Sequence, residues 1–137
     1  MSLDLSSLDT VAASDKGARI ELRNPISNEP LGAFVHIYGK HSKAFQGRIR
    51  DLQNERIRQA SVAAKIGQTP KAKTAEELEA EKLSLLVALT YKFENVTVDK
   101  KELEYSEDNA AMLYTRFPWV REQIDVAADD LANFMTA

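Results

Sequence analysis

Apolar and polar positions change their period several times along the chain, and each change predicts an element. Residues 1–17 mix Ser, Asp and small residues without a sustained apolar period and end at Gly17, which predicts a flexible arm with at most one short turn. From Arg19 the pattern alternates: Ile20 and Leu22 stand between charged neighbours. Asn24-Pro25 and Asn28-Glu29-Pro30 mark a turn, because proline fixes φ and asparagine tolerates left-handed geometry. The run Leu31–Tyr38 is rich in β-branched and aromatic residues and stops at Gly39. Two strands around a proline-containing loop predict a β-hairpin.

Helical spacing follows. Ser42 is placed as an N-cap, with Phe45, Ile49, Leu52, Ala60 and Ala64 near one face and a stop at Gly67. Thr74 with Glu77 three residues on forms a capping signature, and Glu76, Glu77 and Glu79 suit the positive end of a helix. That helix has an apolar stripe of Leu78, Leu85 and Leu89, with Leu86 and Val87 beside it, fading near Thr90. Tyr91–Val98 reads as a short extended segment, with a turn at Asp99-Lys100-Lys101. Ser106 caps a third helix, interrupted at Phe117-Pro118 because the residue before proline disfavours α geometry. A last helix starts at Pro118 and carries Trp119, Val120, Ile124, Ala127, Ala128, Leu131 and Phe134 on a broad apolar face. The sum is a helix-dominated α+β domain over 18–137: a short N-terminal β-hairpin or sheet, then four or so helices.

Composition agrees with one folded domain. The chain has 137 residues, 44% apolar and 28% charged, with no cysteine and two histidines. The missing cysteines exclude disulfides, thiolate metal sites and cysteine nucleophiles. No apolar run approaches the roughly 20 residues that span a bilayer, and the N-terminus lacks the pattern of a signal peptide, so a soluble, intracellular protein is expected.

The net charge of −3 hides a segregation. Residues 1–39 carry −2, residues 40–73 carry +7 and residues 74–137 carry −8. Such a basic middle beside an acidic end can pair internally, pair between copies or bind nucleic acid; the first two are preferred, because a tethered acidic half outcompetes an acidic partner.

Signals of chemistry are sparse. The five glycines do not form a phosphate loop, and Gly47, inside a predicted helix, reads as a close helix contact or a mild flaw. His36 and His41 have no acidic ligands beside them, so a surface or hydrogen-bonded role is expected for both. No nucleophile elbow surrounds any serine, and the carboxylates at 76–81 and 102–108 fit helix starts and solvated faces. The chain is therefore expected to have no catalytic, metal or cofactor site. Arg48, Arg50, Arg56 and Arg58 on the basic helix suit phosphate contacts or charge pairing between copies, with Phe45 read as core rather than as a base-stacking group. The stretch Tyr114–Ile124 concentrates aromatics and an arginine, the types that dominate interface hot spots. For Trp119 a core position is preferred to an interface, and Phe134-Met135 must dock on the core, on a second copy or on a client.

Three blocks together resemble a known family. They are Ile20-Glu-Leu-Arg-Asn-Pro25 with Leu31-Gly-Ala-Phe34 and Tyr38-Gly39-Lys40; Phe93-Glu-Asn-Val96 to Leu103 with Tyr105-Ser106; and Asn109-Ala-Ala-Met-Leu-Tyr114 through Pro118-Trp119-Val-Arg121-Glu-Gln-Ile124-Asp125 to Asn133-Phe134. Over about residues 18–137 the chain resembles the tail assembly chaperones of long-tailed bacteriophages and prophages, with Lys100 where that family usually has glycine. The resemblance implies a non-catalytic protein of the bacterial host cytoplasm. It would bind the tape measure protein, keep it soluble while the tail tube assembles, and be absent from the finished virion. It further implies a homo-oligomer, and in many members a frameshifted longer form that reaches the tube subunit. Tyr114, Phe117, Trp119, Arg121, Leu131 and Phe134 are then the expected contact residues for client or self, and Arg48, Arg50, Arg56 and Arg58 the charge-pairing set. A structural tail component kept in the virion (tube, terminator or completion protein) and a DNA-binding regulator are the competing expectations.

Overall fold

The computed structural model describes residues 2–135; Met1 of the expected arm, and Thr136 and Ala137 of the expected domain, lie outside it. The order is a 3₁₀ turn (Ser6–Leu8), α1 (Thr10–Lys16), β1 (Ala18–Arg23), β2 (Pro30–Ile37), α2 (Lys43–Lys65), α3 (Ala75–Leu89), β3 (Thr90–Glu94), β4 (Thr97–Val98), β5 (Lys101–Glu102), α4 (Glu107–Arg116), α5 (Pro118–Asp129) and a second 3₁₀ turn (Leu131–Asn133). This is a small α+β domain whose antiparallel sheet has the order β1-β2-β3.

The helix starts form where the capping residues stand. Ser42 Oγ accepts from Phe45 N at 3.2 Å, Thr74 Oγ1 from Glu77 N at 3.1 Å and Ser106 Oγ from Asn109 N at 3.0 Å. The expected stop at Gly67 is a Schellman end. Gly67 has φ +71°, its N–H donates to Ala64 O at 3.2 Å, and Gln68 N donates to Ala63 O at 2.8 Å. In the hairpin loop the Asn24 side chain accepts from Ile26 N at 2.8 Å, and Asn28 takes φ +61°.

Strand alternation sorts the sheet into two faces. Leu22, Val35, Ile37 and Phe93 point into the core, which α3, α4 and α5 close with Leu86, Leu89, Ala110, Leu113, Tyr114, Val120, Ile124 and Ala128. The other face carries Arg19, Phe34, His36 and Glu94. Here the Arg19 guanidinium lies 3.5 Å from the Phe34 ring centroid, and Glu94 accepts from Arg19 and lies 3.3 Å from His36 Nε2. His41 sits at the surface, its Nδ1 2.7 Å from Thr10 Oγ1.

Three expectations are corrected. The arm is not featureless from Thr10 onward: α1 docks on the domain, its Ser14 fully buried and Gly39 N bonded to Ser14 O at 3.0 Å. The polar sequence hides this helix, because it is short and buries one serine rather than an apolar stripe. Of the two readings of Gly47 the close helix contact falls, since a Cβ there would meet nothing within 4 Å, and the mild flaw stands. The apolar stripe of α2 is not core along its length. Among its 23 residues only Phe45 is buried, Ala64 is exposed, and Leu78 of α3 is 43% exposed. α2 and α3 pack on each other, leaving Ile57 and Val62, Ile66 just past the end of α2, and Leu78 exposed.

The β4–β5 turn carries a testable strain. Val98 pairs with Lys101, so Asp99 and Lys100 are the two central residues, with φ +51° and +66°. A two-residue hairpin turn with both φ values positive is the type that glycine favours. Lys100→Gly is therefore expected to stabilise the domain by roughly 0.5–1 kcal/mol, read as a higher urea midpoint at unchanged slope.

Candidate functional site

The break at Phe117-Pro118 turns the chain by ending α4 with Phe117 N bonded to Leu113 O at 2.9 Å and starting α5 on a proline that needs no donor. Leu113, Phe117, Trp119 and Val120 are thereby brought to one side of the junction. Leu22, Leu31 and Ala33 reach it from the far end of the hairpin, and Val96 and Val98 from the segment after β3. Together these side chains line an open apolar groove of about 270 Å³, whose remaining walls are Asn95 and Thr97. The Phe117 and Trp119 rings meet edge to face, 6.5 Å apart at 73°, and both remain part-exposed.

Polar contacts fix the rim. Arg116 donates two bonds to Asp99, 2.7 and 2.8 Å, and its guanidinium stands 5.2 Å from the Phe117 centroid. Those hydrogen bonds, and then the charge of Arg116, hold the Asp99 carboxyl below its usual range. Asn95, at φ +57°, donates from Nδ2 to Gly32 O at 3.4 Å and ties the two sides of the groove. The lining holds no acid, no base and no nucleophile beyond the Thr97 hydroxyl. It can seat an apolar side chain but can move no proton. Among the described residues no three His, Asp or Glu side chains gather to hold a metal ion, and no helix is long and apolar enough to cross a membrane.

The six expected contact residues divide. Phe117 and Trp119 stand in the groove. Tyr114 is fully buried, its hydroxyl 2.5 Å from Thr90 Oγ1, and burial pushes its phenol well above the usual tyrosine range. Phe134 is 5% exposed, beside Ala12 and Ala13 of α1. These two cannot touch a partner in the folded chain, and their assignment as contacts is withdrawn. The apolar period that marked them is the period of core. Leu131 is half-buried away from the groove, and Arg121 is paired with Glu79 at 2.8 Å.

The basic set is largely satisfied within the chain. Arg56 pairs with Glu81 at 2.6 Å, Arg58 with Glu55 at 2.5 Å, and Arg48 Nε donates to Ser84 Oγ at 3.0 Å. Lys73 joins Arg56 on Glu81, so one carboxylate ties the α2–α3 pair and its connecting loop together. Arg50 has no ion pair among the described residues. Lys40 bridges the basic middle to the acidic end, at 3.2 Å from Asp125 and 2.5 Å from Asp129. Burial works against the Lys40 charge, but the two aspartates outweigh it and raise its pKa. Three of the nine basic residues of the middle segment, Lys40, Arg56 and Lys73, thus pair with the acidic half of the chain.

Leu31, Val96 and Val98 were not among the expected contact residues, though Leu31 and Val96 belong to the blocks that carry the resemblance. The available signal was Leu31 itself, an apolar residue on an otherwise exposed strand end that is 45% exposed in the fold. No family model, curated protein or solved structure matches the chain.

Proposed function

We propose that the chain is a non-catalytic assembly chaperone of a long-tailed bacteriophage or prophage. It would bind apolar helical segments of the tape measure protein in the host cytoplasm and keep them soluble during tube assembly. The family part of this reading rests on the three sequence blocks. The structural observation that supports it is the groove at the α4–α5 junction. Phe117, Trp119, Leu31, Ala33 and Val98 stand part-exposed there over a floor of buried Leu22, Val96, Leu113 and Val120, at the Phe117-Pro118 break inside the third block. An apolar groove of this kind takes the anchor side chains of an amphipathic helix, the stripe that a long unassembled helical protein leaves exposed.

Leu31 gives the test, because it lines the groove without belonging to the core. Leu31→Glu is expected to weaken binding of the tape measure protein at least tenfold in a titration, while the melting temperature moves by no more than about 3 °C. Equal affinity in the variant would remove the groove from the account. The reading as a retained tail component makes the opposite statement about location. Under the chaperone reading, mass spectrometry finds the chain in infected-cell lysate and not in purified particles.

A further inference from the structure

The sheet ends at β1, and the outer edge of β1 is partly occupied. The Gln123 side chain accepts from Arg23 N at 2.9 Å and donates to Arg23 O at 2.8 Å, so one amide imitates a neighbouring strand at that residue. Asn24 N points the other way, to Glu29 O at 2.9 Å. Strand alternation then directs the N–H and C=O groups of Arg19 and Glu21 outward, like those of Arg23. Outside the β1–β2 ladder, no loop, turn or side-chain group among the described residues bonds to them. They face an open groove of about 570 Å³ between β1 and α5, floored by Val126 and Ala127 and bounded by Glu122 and Asp130. Val126 is 69% exposed there. Both edge strands have a register break in their ladder with β2; that of β1 lies between Glu21 and Arg23, past the Arg19–Glu21 stretch, whose pairing with β2 is regular.

We infer that this edge pairs with the β1 edge of a second copy of the chain, antiparallel about a two-fold axis at Ile20, giving a continuous six-stranded sheet across the dimer. The register follows from charge and from the free groups. With Ile20 on the axis, Arg19 stands opposite Glu21 of the second copy and Glu21 opposite its Arg19. Each pair exchanges two main-chain hydrogen bonds, which satisfies all eight open groups. Opposite charges directly across a ladder are favourable; the next register, centred on Glu21, would set glutamate against glutamate and arginine against arginine. Glu21 makes no ion pair among the described residues. Arg19 is held by Glu94, and a guanidinium fork with five donors can hold a second carboxylate. The ladder also ends where it must: Gln123 closes Arg23, and the opposing chain turns away at Gly17 into α1. The inference is independent of what the groove beside Trp119 binds.

The test is the mass of the full chain in solution at tens of micromolar, by light scattering on a sizing column. A dimer is expected. Glu21→Pro removes one outward N–H while leaving the β1–β2 ladder intact, a position where an edge strand tolerates proline. It is expected to raise the dimer dissociation constant at least tenfold with the melting curve of the monomer preserved. Should the proline variant fail to fold, Glu21→Arg places arginine opposite Arg19 and is expected to weaken the dimer likewise. Because the chain has no cysteine, Ile20→Cys reports the register directly. Residues facing across the axis have Cα atoms about 4.5 Å apart, within disulfide reach, so mild oxidation is expected to yield a cross-linked dimer. A monomeric chain, a dimer indifferent to both Glu21 variants, or a dimer whose Ile20→Cys form does not cross-link each overturns the inference. So does a monomer that instead takes an extended peptide on this edge.

Discussion

Gly17→Ala is expected to cost about 3 kcal/mol or more, a larger loss than any surface substitution in this domain. Gly17 has φ +81° and ψ 178°, a region open essentially to glycine alone. An added Cβ would also fall 2.6 Å from Tyr91 Oη and 2.8 Å from the main-chain oxygen of Ile37. The tyrosine can swing aside; the Ile37 carbonyl belongs to a fully buried strand residue and cannot. Strained backbone of this kind costs about 1–3 kcal/mol, and overpacking a similar amount. Relief would require lifting α1 and the start of β1 off the sheet, which undoes the docking of Ser14 against Gly39. Urea unfolding gives the loss, and limited proteolysis at Lys16 shows whether α1 has detached. A loss under about 1 kcal/mol would show that the junction bends more easily than this geometry allows.

The second large effect is at Tyr114. The residue is fully buried where α4 meets β3, and its hydroxyl and Leu86 O share the Thr90 hydroxyl. Tyr114→Ala removes the largest fully buried side chain and is expected to cost about 4 kcal/mol, against about 1–2 kcal/mol for Tyr114→Phe, which loses one hydrogen bond. The same burial predicts an alkaline limb. The folded pKa is raised above that of the unfolded chain, so below pH 10 both states hold the proton and stability is undiminished. As pH rises past about 10 the unfolded chain ionises first, and stability falls until the folded phenol titrates. Chemical denaturation at pH 8, 10 and 11 should show that loss in the native chain and less of it in Tyr114→Phe. Identical pH profiles would place the alkaline loss on other groups.

The fold was legible wherever a local rule decides it. Ser42, Thr74 and Ser106 cap because a hydroxyl one turn before an amide satisfies that amide in any tertiary context. Pro118 breaks the helix run for an equally local reason. What escaped depends on partners distant in sequence. α1 is anchored by the approach of Ser14 to Gly39, which no periodicity announces. The stripe Phe45–Ala64 has the helical period of core, yet only Phe45 of it is buried, because a helix of 23 residues outruns the small sheet it starts from.

The candidate site was half visible. Phe117 and Trp119 stood out as a dense aromatic block beside a proline. Tyr114 and Phe134 shared that signal and proved to be core, since composition cannot tell which side of a helix meets the sheet. The opposite wall, Leu31, Val96 and Val98, comes from segments more than sixty residues apart and forms only when the hairpin and the β4–β5 turn fold toward α4. The charge blocks misled less. Their internal pairing through Lys40, Arg56 and Lys73 was one of the readings the segregation allowed, and among the described residues it leaves Arg48 and Arg50 of the basic set without an ion pair.

The most direct measurement is co-expression of this chain with a phage tape measure protein, the client proposed above, followed by sizing chromatography of the soluble fraction. The tape measure protein is expected to move into the soluble fraction and to co-elute with this chain in a large complex. A tape measure protein that stays insoluble while this chain elutes alone would contradict the proposal.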